Sequence, residues 1–125
     1  MAERRMKITT DNVEVVVGLN DTTTADRIWL ALPIESTGST WGDEIYFRTP
    51  VQDATRDAKE VVDAGDVAYW PPGQAICLFW GPTPASQTPD EIRPASAVNV
   101  VGKIEGDPKV LGRVRSGSNV RVERA

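Results

Sequence analysis

Residues 65–84 read GDVAYWPPGQAICLFWGPTP, two short aromatic strands joined by a Pro-Pro-Gly turn and closed by a second pair of prolines. The later strand, 75–80, is apolar at every position, which predicts a strand buried on both faces. The large rings of this segment fall at strand ends next to prolines, where they can line a concavity as well as fill a core. The stretch therefore predicts a β-protein with an aromatic pocket beside this hairpin.

Segments rich in β-branched or alternating residues predict further strands on both sides of this hairpin. With the hairpin itself they make eight strands: 6–10, 13–19, 34–40, 44–49, 67–70, 75–80, 97–104 and 120–123. One helix is predicted from the threonines at 22–24 to Pro33, and another from Asp107-Pro108 to Gly117. This pattern predicts a mainly β fold, a closed eight-stranded barrel capped by two short helices.

Three local features extend this prediction. Trp29 lies on the apolar stripe of the first helix, so we expect it to be fully enclosed at one end of the barrel. Gly42, between the third and fourth strands, indicates a β-bulge. The segment 52–63 is polar and acidic, which is typical of an excursion over the surface.

Length and charge narrow the class of protein. The 125 residues provide one domain, 6–125, after an N-terminal extension, 1–5, and Met6 is an alternative start. Eighteen acidic and 14 basic residues give a net charge of −4, which argues against a nucleic-acid partner. Apolar runs are all shorter than a membrane span, so we expect a cytoplasmic protein with no membrane partner.

The chain lacks the residues or the spacing that several common kinds of catalytic and metal-binding site need. It has no histidine, which excludes imidazole acid–base catalysis and imidazole metal ligands. Its single cysteine, Cys77, lies within an apolar run and is expected to be a buried core residue. Glycines lack the spacing of a phosphate-binding loop, and the carboxylates at 53–63 lack that of a calcium loop. We therefore expect no cofactor and no metal.

The candidate ligand-binding residues come from the aromatic hairpin, from Trp41 and from the strand at 44–49 that follows it. In that strand a carboxylate, a phenol and a guanidinium alternate with apolar residues, so all three share one face. That face is either turned to the pocket, where it would orient a polar ligand, or to water; the aromatic rings either line the pocket or fill the core. The candidates are Trp41, Glu44, Tyr46, Arg48, Tyr69, Trp70, Phe79 and Trp80.

Three separated motifs resemble the small prokaryotic cyclophilin-like domain family. They are WGDEIYF at 41–47, GDV at 65–67 followed by YWPPG at 69–73, and PASAVNV at 94–100. The run VNVVGKI at 98–104, followed by Glu105-Gly106, is similar to the late strand and turn of the cyclophilin fold. The resemblance covers about 13–122 and implies a closed eight-stranded barrel capped by two helices.

The resemblance implies less about activity. Cyclophilins that isomerise prolyl bonds carry a Phe-His-Arg run on an early strand, whereas the most similar stretch here, Ser39–Asp43, has glycine and aspartate in place of the histidine and arginine. We therefore expect a pocket protein that binds a small molecule or a short peptide, including proline-containing ones. The alternatives are a peptidyl-prolyl cis-trans isomerase in which Arg48 polarises the amide, and a homodimer or partner-interaction module.

Overall fold

Eight antiparallel strands close into a barrel in the computed structural model of the protein, which describes residues 4–125. Their order around the barrel is β1-β2-β7-β5-β6-β4-β3-β8. The strands are β1 Arg5–Thr9, β2 Glu14–Leu19, β3 Ile34–Thr40, β4 Glu44–Arg48, β5 Asp66–Trp70, β6 Ala75–Phe79, β7 Asn99–Ile104 and β8 Asn119–Arg124. The prediction of a mainly β, closed eight-stranded barrel is confirmed.

Of the two predicted helices, only the first is an α-helix. Helix α1 spans Thr23–Ala31 and is capped by Thr22, whose hydroxyl accepts a hydrogen bond from the Ala25 amide at 3.2 Å. The second starts as predicted after Asp107, but it is a 3₁₀ helix over Pro108–Arg113. Six residues that include a glycine are too short a run to stabilise α-helical turns, and such segments commonly take the tighter form.

The barrel interior forms the larger of two hydrophobic cores. Every strand contributes inward side chains to it, and α1 adds Ala25 and Ile28. The 3₁₀ helix after Asp107 adds Leu111 to the same core. The alternation of buried apolar residues with partly or fully exposed ones along β1 and β2 is the pattern of strands with one face in this interior.

A second core lies on the outer face of the barrel. It consists of Val62, Ala68, Cys77, Phe79, Ile92 and Val98. Two long connections, 49–65 and 80–98, supply part of it and are joined by backbone bridges, Lys59 with Val98 and Val62 with Ile92. Because these connections cover β6 from outside, all five residues of that strand are buried, as its sequence predicts. Most of the segment 52–63 is exposed, as expected of a surface excursion.

Two local predictions are wrong. Trp29 is half-buried, because Ala25 and Ile28 take the inward positions of α1 and the indole lies at its margin, with the Arg124 guanidinium 4.4 Å from the ring centre. Gly42 lies in a tight turn between β3 and β4, where its φ is +60° and the Trp41 amide donates to the Glu44 carbonyl at 2.9 Å. The register irregularity of the sheet lies between Val67 and Ala68 instead.

The N-terminal boundary falls earlier than the sequence suggested. Strand β1 begins at Arg5, and the Arg4 guanidinium donates to the Asn20 carbonyl at 2.8 Å, so these two residues of the predicted extension are part of the fold. Residues 1–3 of that extension lie outside the described part of the chain. Within residues 4–125, α1 and the 3₁₀ segments are all shorter and more polar than a membrane-spanning helix.

Candidate functional site

The outer face of β4, β6 and β5 is a continuous surface whose side chains are set by strand register. Tyr46 pairs with Cys77, and Cys77 pairs with Ala68 on the other side. Glu44 lies two residues before Tyr46 on β4, opposite Phe79. Because residues directly opposite in antiparallel strands point to the same face, these side chains all point away from the barrel interior.

A pocket of about 280 Å³ opens on this surface. Its lining residues are Trp41, Glu44, Tyr46, Trp70, Cys77, Pro94 and Ala95. The rings come from three places: the turn after β3, the outer face of β4 and the end of β5. The connection between β6 and β7 brings Pro94 and Ala95 over this face, so the site is assembled from segments far apart in the sequence.

The tight packing of the Pro-Pro-Gly turn positions Trp70. A Cβ atom at Gly73 would lie 2.5 Å from the Trp70 ring, so only glycine lets the turn fold against this indole. On the pocket side, Trp70 Nε1 donates a hydrogen bond to Ser96 Oγ at 2.7 Å. The indole is therefore held between the turn and the connection that also provides Pro94 and Ala95.

The β3–β4 turn fixes Trp41. Gly42 packs so closely on the 82–84 segment that a Cβ atom there would lie 2.8 Å from Pro84 Cδ. The Asp43 amide donates to the Pro82 carbonyl at 2.9 Å, and the Trp80 amide donates to the Asp43 carbonyl at 3.0 Å. These contacts attach the turn to the chain that leaves β6, so Trp41 is presented from a rigid element.

Glu44 is the ionisable group of the pocket with the most unusual environment. Only 4% of the residue is exposed, and its Oε1 has no hydrogen-bond partner among the described residues. Burial raises the pKa of this carboxyl from 4.5 to about 7, and a hydrogen bond from the Cys77 thiol opposes part of the rise. At neutral pH the group is therefore divided between its charged and neutral forms.

The thiol of Cys77 is the neighbour of this carboxyl. It is buried, and its pKa is raised by desolvation first and by the nearby Glu44 charge second. The thiol therefore stays protonated and unreactive at neutral pH. The sequence prediction of Cys77 as a buried core residue is confirmed, with the addition that one side of it reaches the pocket.

Four of the eight predicted site residues lie together in the pocket, and four do not. Trp41, Glu44, Tyr46 and Trp70 are in its lining. Arg48 follows on the same face of β4 but is exposed and lies outside the lining.

Tyr69, Phe79 and Trp80 are placed in the two cores. Tyr69 points into the barrel, where its hydroxyl donates to the Val51 carbonyl at 2.7 Å. Phe79 is fully buried in the outer core. Trp80 is half-buried and packs against the interior core, with its Nε1 beside Gly112. All three are withdrawn from the pocket, because strand parity or the covering connections turn them elsewhere.

Three lining residues were not among the sequence candidates. Cys77 alternates with the inward residues Ile76 and Leu78, and this parity was the available signal for an outward position. Pro94 and Ala95 lie in a recognised sequence motif, but a connection without periodicity gives no signal of the surface it covers. Within residues 4–125 no cluster of three or more Cys, Asp or Glu side chains is placed to hold a metal ion.

Comparisons with known proteins agree with this architecture. The family model described as cyclophilin-like matches residues 4–123. A solution structure of a hypothetical protein from Archaeoglobus fulgidus is similar with a TM-score of 0.82 and 48% sequence identity, over 98% of this chain and 95% of that chain. No curated protein matches the chain. The resemblance identified from the sequence motifs is confirmed, and the chain belongs to the cyclophilin-like family.

Proposed function

We propose that this protein is a binding module whose pocket between Trp41, Tyr46 and Trp70 holds a small molecule or one side chain of a short peptide. The observation that supports the proposal is a concave, largely aromatic site with one buried carboxyl in its lining. Apolar walls with a few convergent polar groups are the usual composition of ligand sites. Each ring in contact with a flat or apolar ligand contributes about 0.5–1.5 kcal/mol beyond area burial.

The volume of the pocket limits the ligand. About 280 Å³ is just below the usual range of small-molecule sites, which span roughly 300–1,000 Å³. A peptide would therefore insert a single side chain, such as a proline ring, while the rest of the peptide remained outside. A cytoplasmic location, expected from the sequence, is part of the same proposal.

The alternative of a peptidyl-prolyl isomerase has less support from the site. Polarising a prolyl amide needs a cation or a strong donor at the pocket, and among the residues that the structure describes no basic side chain lines it. Arg48 is exposed and outside the lining. We expect turnover of a standard prolyl tetrapeptide to be near background. A rate typical of cyclophilins that fell on Arg48→Ala would favour the isomerase.

The indole N–H resonances of the four tryptophans provide a direct test of the binding proposal. Amines, aromatic acids and prolyl peptides would be titrated into ¹⁵N-labelled protein. We expect a binding compound to shift the Trp41 and Trp70 resonances, while Trp29, on α1, serves as an internal control. Trp41→Leu should weaken that binding, whereas Trp29→Leu should not.

Two results would contradict the proposal. If no compound shifts Trp41 or Trp70 in folded protein, the pocket is not a ligand site. If the same resonances shift with protein concentration alone, the surface is a homodimer contact, because burial would then depend on association.

A further inference from the structure

Building on the proposed pocket function, we infer that the ligand carries a protonated amine, an alkylammonium group whose N–H donates to Glu44 Oε1 while its methylene groups contact the rings of Trp41 and Trp70. The juxtaposition of a buried, unpartnered carboxylate oxygen with several aromatic rings in one pocket supports this ligand class.

The unsatisfied Oε1 of Glu44 favours a ligand that carries a hydrogen-bond donor. A buried acceptor without a partner is costly, and native structures seldom leave one without a reason. The Cys77 thiol is a weak donor, and Oε1 has no hydrogen-bond partner among the described residues. A ligand N–H would supply the missing donor, and a charged one would form a shorter and stronger bond to the carboxylate than a neutral one.

The sign of the electrostatic potential in the pocket favours a cationic ligand. Indole and phenol rings present negative faces, which attract ammonium groups within about 6 Å. The buried carboxylate has the same sign, and the chain carries a net charge of −4. An anionic ligand would meet repulsion from each of these sources, whereas an organic cation is attracted by all of them.

Among the described residues, the charged and titratable groups around Glu44 include no basic side chain that lines the pocket. On its own strand lie the Tyr46 phenol and the exposed Arg48 guanidinium, on β6 the Cys77 thiol, and in the preceding turn the Asp43 carboxyl. On β5, Asp66 pairs with Lys103 at 3.7 Å. In the covering connection, the Arg93 guanidinium is held by Glu91 at 2.7 Å. Among the described residues, Lys103 and Arg93 are thus engaged by other carboxylates, and Arg48 is exposed outside the pocket lining.

The test compares n-butylammonium chloride with butan-1-ol, which has the same chain length and a neutral donor. Dissociation constants would be measured at pH 7.5 from the Trp41 and Trp70 indole shifts, for the wild type and for Glu44→Gln. We expect the wild type to bind the cation on the order of tenfold or more tightly than the alcohol, as for a hydrogen bond to a charged group. Glu44→Gln should abolish this preference and leave alcohol binding largely unchanged.

Asp43→Asn is the matched control, because it removes an adjacent carboxyl that is outside the pocket lining. It should keep the preference for the cation. The preference should also increase between pH 6 and pH 8, since the ammonium binds the ionised form of Glu44. Tetramethylammonium, a cation without an N–H, should bind more weakly than butylammonium.

Three outcomes would overturn the inference, and they are distinguishable from failure of the pocket proposal. Equal affinity for alcohol and cation, with shifts at Trp41 and Trp70, would leave a ligand pocket that does not select cations. Binding of the alcohol that strengthens as the pH falls, with no preference for the cation, would show that neutral Glu44 donates to a ligand oxygen. If neither probe shifts these tryptophans but a neutral or acidic compound does, the pocket holds a different ligand class. Failure of every compound would contradict the pocket proposal itself.

Discussion

Replacing Glu44 with glutamine should stabilise the protein at alkaline pH, and the size of the effect should depend on pH. In the folded chain the carboxyl has a pKa of about 7, against an ordinary value of 4.5 that applies to the unfolded chain. Between these two values the folded state binds more protons than the unfolded state. The contribution of Glu44 is therefore fully present below about pH 4.5 and is lost as the pH rises to 7 and above.

The magnitude follows from the same two values. Each pH unit between them corresponds to about 1.4 kcal/mol, so ionisation of Glu44 should lower the free energy of unfolding by about 3 kcal/mol between pH 4 and pH 8.5. Domains of this kind have a total stability of roughly 5–15 kcal/mol, so this is a large part of it. Glutamine has nearly the same shape and does not titrate, so the variant should lack this decline.

Urea unfolding followed by tryptophan fluorescence, at intervals from pH 4 to pH 8.5, measures the effect. The quantity of interest is the difference between Glu44→Gln and the wild type, in which the titration of all other groups largely cancels. This difference should rise most steeply between pH 5 and pH 7. A difference that is flat with pH would refute the argument, as would one that falls as the pH rises, because Glu44 would then have a partner that stabilises its charge.

Two further predictions concern the polar network that holds residues 54–57 against the barrel. Asn99 is 1% exposed, and its side-chain amide donates to the Thr24 hydroxyl and to the carbonyl of residue 54 and accepts from the backbone amides of residues 56 and 57. Asn99→Ala should therefore lower the free energy of unfolding, measured with urea, by about 2–4 kcal/mol. A loss below about 1 kcal/mol would show that water replaces these bonds. The pKa of Asp53 is lowered from 3.8 to about 2, chiefly by the hydrogen bond from Arg56. The stability that ionised Asp53 contributes is therefore present above about pH 4 and is lost as the pH falls toward 2. Asp53→Asn should flatten the acid side of the curve of unfolding free energy against pH, and an unchanged curve would contradict this.

Strand positions could be predicted because the signals for them are local. Alternation along β4 correctly placed Ile45 and Phe47 on the inward face, and the continuous apolar run of β6 correctly indicated burial on both faces. Proline and glycine marked the turn of the aromatic hairpin. Capping residues also located both helix starts, although the type of the second helix depended on its short length.

Trp70 and Trp80 lie on different faces of the sheet because of the strand register, which the sequence does not specify directly. Both tryptophans end a strand next to proline, and both were predicted to line one pocket. The turn at 71–74 pairs Trp70 with Ala75, so Trp70 shares the outer face with Cys77. Trp80 has the parity of the inward residues of β6 and packs against the interior core. A two-residue periodicity becomes informative only once the pairing is known.

Local sequence patterns could not predict the burial of Glu44 either, because a segment distant in the sequence causes it. Alternation placed Glu44 on one face with Tyr46 and Arg48. The strand pattern alone did not distinguish whether this face is turned to a pocket or to water. Phe79 and the 80–98 connection cover the end that holds Glu44 and leave Arg48 exposed. Which carboxyl on a half-polar strand is desolvated is thus decided by a connection whose path has no periodic signature.

Stability and binding should respond to Glu44 in opposite directions, and this opposition argues for a functional role. A residue retained only for folding should not cost about 3 kcal/mol near neutral pH. A residue retained for a ligand can carry such a cost, because binding sites concentrate groups that destabilise the free protein. Glutamine at this position should therefore give a more stable protein at pH 8 that has lost its preference for an ammonium ligand. If the same variant gained stability and kept its full preference for the cation, the carboxyl would be a destabilising group without a role in ligand recognition.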